Sequence, residues 1–274
     1  MLSEQQIDDF NTRGYCVLPD FKTQDQINAI KAAARRIIDK FEPEADPRVF
    51  ASGDDDMDQY LLETGYAIAC FLEPDLTDEA GRLSIDKHTA VNKIGHALHD
   101  LDPDFDNFSR DERLASVATA LGIAEPQIWQ SMYIQKSPRV GGEVRWHQDA
   151  TYFNTYPLSV VTFWFALDDA DQENGCLWVD KAGAQTPLRE VFELKDGKTE
   201  IHTLDTTPWP NRESAEPLEV KAGTLVCFKG TLPHYSAPNT SERPRHAYTL
   251  HVTDARTTYS EANWLQREDV RGFV

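Results

Sequence analysis

The feature that most constrains this fold begins near Gln127. From there the chain runs as short segments rich in β-branched and aromatic residues, separated by turns, at 128–135, 143–149, 159–167, 175–179, 224–228 and 245–253. Strands at that spacing, without helical patterns alternating between them, argue against βαβ units and predict an all-β barrel or jelly roll. The polar stretch 183–220, with Pro187, Pro208, Pro210 and Pro217, interrupts the pattern and reads as a long irregular insert.

The front half has a different texture. Ser3-x-x-Gln6 and Thr23-x-x-Gln26 both have capping-box form, and Gly14 stops the first helix. The second helix carries Ile27, Ile30, Ala34, Ile37, Ile38 and Phe41 on one face, and Tyr15–Leu18 between the two is a strand candidate. Segment 42–58 reads as an Asp- and Pro-rich loop, whose Asp54-Asp55-Asp56 lacks the spaced ligands of a calcium loop. Further helices are predicted over 92–99 and 111–121, the latter ending at Gly122. No repeat divides the 274 residues, so the expectation is one domain: a helical part, about 1–126, packed on a β core, about 127–274.

With 46 acidic against 27 basic residues the formal charge is −19. That balance argues against a nucleic-acid partner, which needs clustered Lys and Arg, and against docking on anionic lipid. The longest uncharged apolar stretch, 160–167, is far short of the roughly 20 residues of a membrane span. The opening Met-Leu-Ser-Glu-Gln-Gln lacks the pattern of a secretion signal, and the closing Arg-Gly-Phe-Val is neither a peroxisomal address nor a prenylation box. Four scattered cysteines (Cys16, Cys70, Cys176, Cys227) fit reduced thiols better than a disulfide frame. The expectation is a cytoplasmic protein, monomeric by default, acting on a small molecule.

Among eight histidines, only His147 has a carboxylate two residues on, in Trp146-His147-Gln148-Asp149. On an extended segment such a pair shares a face. Chance alone supplies about one such pair at this composition, so it carries little weight by itself. His234 lies 87 residues later, after Pro233 in a predicted turn, and Arg245 follows after eleven more. Arg245 alternates with Ala247 and Thr249 on a strand face that would point into a barrel, where a buried guanidinium needs an anion. Arg243, before Pro244 at a turn, is the weaker alternative. Two histidines, one aspartate and an inward arginine match the donor set of non-haem Fe(II) oxygenases, with the arginine suited to a dicarboxylate.

The sequence resembles the phytanoyl-CoA dioxygenase family of Fe(II)- and 2-oxoglutarate-dependent oxygenases over most of its length. The resemblance is carried by Val91-Asn92-Lys93-Ile94-Gly95-His96-Ala97-Leu98-His99, Gln130-Ser131-Met132-Tyr133-Ile134, and Gly141-Gly142-Glu143-Val144 leading into His147-Gln148-Asp149. It continues through Glu173-Asn174-Gly175-Cys176-Leu177-Trp178, then Arg245 to Thr249, then Asn263-Trp264-Leu265-Gln266. It implies a mainly β protein with flanking helices, built on a double-stranded β-helix (jelly-roll, cupin-like) core. It implies Fe(II) on His147, Asp149 and His234, and the distal carboxylate of 2-oxoglutarate on Arg245 with Thr249 nearby. Lys93, Met132 and Trp164 would line the cosubstrate pocket. The implied reaction hydroxylates a small molecule with O2, releasing succinate and CO2. An aspartate at position 149 disfavours halogenation, which needs that ligand position vacated.

The family's Pro-Gly-Ser-His-like turn is replaced by Asp180-Lys181-Ala182-Gly183-Ala184, and a charge of −19 sits poorly with a coenzyme-A thioester, so that substrate is not inferred. The rival readings are a non-catalytic jelly-roll protein sensing 2-oxoglutarate or metal, and a cupin-type enzyme using Mn or Co. Lys93 and His96 are expected on one helix face, and His246 and His251 as ordinary strand residues. His88, His99 and His202 are expected at the surface, and Trp146 in packing.

Overall fold

The computed structural model describes residues 2–43, 60, 62–74, 76, 78 and 82–274. Most of the 42–58 loop, with Asp54-Asp55-Asp56, lies outside them.

Both capping boxes form. Helix α1 (Glu4–Thr12) starts with Ser3 and Gln6 exchanging side-chain-to-backbone hydrogen bonds, and α2 (Gln24–Lys40) does the same with Thr23 and Gln26. Gly14, at a φ of 81° that glycine adopts freely, turns the chain from α1 into β1 (Tyr15–Leu18). The buried stripe of α2 is Ile27, Ile30, Ala33, Ala34 and Ile38.

The first correction follows β2 (Ile68–Leu72). Residues 92–99 do not form one helix: Val91–His96 is strand β3, and Leu98–Leu101 is a single helical turn. β3 is hydrogen-bonded to strands on both sides and wholly buried, and Gly95 and β-branched Val91 give a helix little support. Helix Glu112–Ala120 is as expected, with Asp111 at its N-cap and Gly122 at a φ of 94° beyond its end.

The remaining strands are β4 (Pro126–Lys136), β5 (Val144–His147), β6 (Thr155–Tyr156), β7 (Val161–Ala166), β8 (Leu177–Asp180), β9 (Glu190–Lys195), β10 (Lys198–Thr203), β11 (Ala215–Leu218), β12 (Leu225–Lys229), β13 (His234–Ser236), β14 (Arg245–Asp254) and β15 (Thr258–Tyr259). The insert 183–220 is more regular than its polarity suggested. It holds the β9–β10 hairpin, and its β11 pairs with β8 at a sheet edge, where Pro217 is tolerated.

Two antiparallel sheets make the jelly roll: seven strands in the order β1-β12-β7-β14-β4-β3-β2, and four in the order β11-β8-β13-β5. The front of the chain thus contributes three strands to the large sheet as well as helices. Alternate residues of the central strands face opposite ways. Outward-facing Phe163, Phe165, Tyr248, Leu250 and Val252 share one apolar cluster with the buried stripe of α2. Inward-facing Trp164, Ala166, Val226 and Ala247 pack with Leu177 and Val179 of the small sheet. Among the described residues no helix is long and apolar enough to cross a membrane, and all four cysteines are buried free thiols.

Candidate metal centre and anchor site

His234 lies on β13 rather than in a turn, and the β13–β5 pairing sets it directly opposite His147. The two imidazole centroids are 4.1 Å apart. Asp149 has left the strand for a short 3-10 turn, yet its Oδ1 lies 3.5 Å from His147 Nε2 and 3.7 Å from His234 Nε2. The three ligand atoms fall within 4.8 Å of one another, a donor set one ion could span.

Each histidine is oriented by its own backbone. His147 Nδ1 lies 2.8 Å from Arg145 O, and His234 Nδ1 lies 3.1 Å from Leu232 O. A carbonyl accepts only from N–H, so the proton sits on Nδ1 and the Nε2 lone pair is presented at the cluster. Burial pushes the His234 imidazole down to about 4, assisted by His147 and opposed by Asp149, which keeps it in its neutral, ligating form. Burial alone would raise the Asp149 carboxyl, but the imidazoles of His234 and His251 outweigh it and hold the group well below the usual carboxylate range.

Two residues behind Asp149 were not foreseen. Thr162 donates its hydroxyl to Asp149 Oδ2, and His251 Nε2 lies 3.5 Å from the same oxygen. His251 is buried and stacked on Phe153, at a 4.9 Å centroid distance. It is no ordinary strand residue: it lies against the outer oxygen of the candidate ligand Asp149. The signal was available, because 251 has the same parity on β14 as Arg245, Ala247 and Thr249.

Arg245 is 1% exposed. Its Nε donates to Gly175 O at 3.0 Å and its Nη2 to Ser236 Oγ at 2.8 Å, while Nη1 is buried without a partner. Gly175, at a φ of 86°, carries no Cβ because one would meet Ala237 O at 2.5 Å. Burial lowers the guanidinium pKa to about 10, so it remains charged and wants an anion. Arg243 is exposed and already paired with Asp171 and Glu173.

The register aligns the other candidates on the inner face. Thr249 sits opposite both Trp164 and Met132, and Ile134 lies between Ala247 and Lys93. The Arg245 guanidinium stands 5.9 Å from the Trp164 ring. Lys93 is buried on β3 with its Nζ 5.1 Å from the Phe71 ring, and burial lowers its pKa to about 7. Lys93 and His96 therefore do not share a helix face. His99, expected at the surface, is fully buried: its Nδ1 meets Ser131 Oγ at 2.8 Å and its Nε2 meets Ile128 O at 3.1 Å. His202 is exposed and His88 pairs with Asp39 at 2.9 Å, both near the surface. Trp146 stacks on Tyr235 at 5.3 Å, a packing contact.

A jelly roll with two histidines and an aspartate converging between its sheets defines a protein of the double-stranded β-helix class. The family model for phytanoyl-CoA dioxygenase (PhyH) matches residues 10–247, and the chain belongs to that family. It is 37% identical to phytanoyl-CoA dioxygenase 1 of Oryza sativa subsp. japonica, over 97% of this chain and 95% of that protein. It is 35% identical to phytanoyl-CoA dioxygenase domain-containing protein 1 of Mus musculus, again over 97% and 95%. The crystal structure of the non-heme alpha ketoglutarate dependent carbocyclase SnoK superposes with a TM-score of 0.65 at 16% identity, covering 98% of this chain and 94% of that one. That likeness concerns the fold.

Proposed function

We propose that this chain is one oxygenase domain, dependent on Fe(II) and 2-oxoglutarate, that hydroxylates a small molecule with O2 and releases succinate and CO2. One observation carries the reading: a His, Asp, His donor set shares the inner face with a buried arginine whose Nη1 has no partner. Two imidazoles and one carboxylate suit Fe(II) while leaving coordination positions open. When bound, that iron and its ketoacid cosubstrate would supply the oxidising chemistry, which no side chain here can provide.

The remaining work belongs to the protein. His147, Asp149 and His234 would hold the metal. Ser236, the partner of Arg245, lies two residues along β13 from His234, roughly 7 Å at strand rise. That span suits a five-carbon diacid gripped at its far carboxylate by Arg245, with its ketoacid end at the metal. Thr249, Met132, Trp164 and Lys93 would wall this channel and exclude water, and the open Nη1 would complete a bidentate pair. Membership of a dioxygenase family and the fold of an alpha ketoglutarate dependent enzyme support the same reading. The test is succinate formation from 2-oxoglutarate by the iron-loaded protein without added substrate. Turnover that needs iron and disappears in Asp149→Ala is expected. Tight 2-oxoglutarate binding with no succinate under any condition would make the protein a sensor instead.

A further inference from the structure

Buried ring nitrogens without a hydrogen-bond partner include His251 Nδ1, on the residue behind Asp149, and His96 Nε2 and Trp264 Nε1. Their rings are 3%, 1% and 7% exposed, so water does not serve them from outside. Each such atom destabilises the fold if it stays unmet, and native proteins rarely tolerate several together.

The three belong to one wall. His251 leans on the Asp149 carboxylate and stacks on Phe153. Phe153 packs in one cluster with Trp264, whose ring meets His96 at 5.3 Å. Gln130, directly across from His251 in the sheet, places its amide nitrogen 2.7 Å from His96 Nδ1. The chain Asp149, His251, Gln130, His96, Trp264 thus runs away from the metal, on different residues from those assigned to the cosubstrate.

Their chemistry is specific. An amide nitrogen only donates, so His96 Nδ1 accepts and its proton lies on Nε2; the indole Nε1 is also a donor. His251 turns its Nε2 toward Asp149 and leaves Nδ1 open. Burial, with the charges of Lys93 and Arg267, keeps His96 neutral. The wall therefore presents two donors and a third open ring nitrogen within an aromatic frame.

We infer that these residues form the substrate subsite, and that it takes a compact hydroxylated molecule whose oxygens accept from His96 and Trp264 and pair with the open nitrogen of His251. A saturated acyl chain would leave all three atoms unmet, at a cost that rejects such ligands strongly. The inference rests on the oxygenase reading, and the experiment separates the two. Succinate formation by the iron-loaded protein is measured alone, with a panel of polyols, monosaccharides and hydroxy acids, and with straight-chain and branched fatty acids and their coenzyme-A thioesters. Absence of any iron-dependent succinate sinks the oxygenase reading itself.

Given that turnover, the expected result is at least fivefold stimulation by a member of the hydroxylated panel. That stimulation factor, taken relative to each variant's own unstimulated rate, should fall tenfold or more in His96→Phe and in Trp264→Phe. It should be largely restored in His96→Gln, which keeps a donor. Stimulation by the acyl panel alone, a silent hydroxylated panel, or factors unchanged in both variants would each overturn the assignment.

Discussion

Outward from β14, Tyr248, Leu250 and Val252 enter the layer beneath α2; inward, Arg245, Thr249 and His251 face the small sheet. On the outer side the polar atoms are paired. Tyr248 Oη meets Ser109 Oγ at 2.8 Å, Tyr133 Oη meets His246 Nδ1 at 2.7 Å, and His99 uses both ring nitrogens. On the inner side Arg245 Nη1 and His251 Nδ1 are open. One strand thus carries a finished core on one face and an unfinished polar surface on the other. On the proposed function, the unfinished side is where ligands complete the structure, so stability and activity should separate by face.

Asp149→Ala breaks that comparison most sharply. It should reduce iron-dependent succinate formation to the level of metal-free protein. Because a carboxyl held below its unfolded pKa contributes stability at neutral pH, some fall in the urea midpoint of the apo protein is expected as well. Leu250→Ala is the reverse case. Emptying a fully buried leucine site should cost about 2–5 kcal/mol by urea denaturation, while half-saturation by 2-oxoglutarate in the surviving folded protein stays put. A loss of cosubstrate affinity in Leu250→Ala would show that the faces are coupled.

Arg245→Met tests the anchor. Removing the charged partner of a buried carboxylate should raise the half-saturating 2-oxoglutarate concentration about 30-fold or more, the equivalent of at least about 2 kcal/mol. Binding titrated by calorimetry checks it, and an unchanged dissociation constant would move the anchor elsewhere. Thr162→Val then addresses the support behind the metal ligand. Losing the hydroxyl that fixes Asp149 Oδ2 should weaken metal binding about tenfold, by competition with a chelator, with a smaller effect on 2-oxoglutarate.

The inner face was legible where period two held. The alternation that singled out Arg245, Ala247 and Thr249 is the alternation of β14, and both capping boxes formed because their signals are local. Three distant contacts were not legible. His234 is fixed by pairing with β5, 87 residues away in sequence, so its strand of three residues gives no periodic signal. β3 was misread because its strand state comes from two neighbours rather than from its own composition. His99 is buried by Ser131 and Ile128, a polar pairing that makes burial affordable and that no window around His99 contains.

Asp100 makes the finer contrast with Asp149. Both carboxylates are buried, and both lie below the usual carboxylate range. On the proposed function Asp149 awaits a cation, whereas Asp100 has permanent ones: Arg110 at 2.6 Å, Arg271 at 2.7 Å and Arg267 at 3.2 Å. Burial opposes ionisation of Asp100, but His99, Arg271 and Arg110 reverse it. A carboxyl with a folded-state pKa below its unfolded value of about 3.9 contributes stability that is complete above that value and is lost as pH falls below it. Urea midpoints should therefore hold from pH 8 to about pH 5 at this group and drop under pH 4. In Asp100→Asn the acid limb should be shallower by up to about one proton, or about 1.4 kcal/mol per pH unit. Adding metal and 2-oxoglutarate should leave this difference untouched, because Asp100 belongs to the finished side; a difference that vanished on loading would place it in the site.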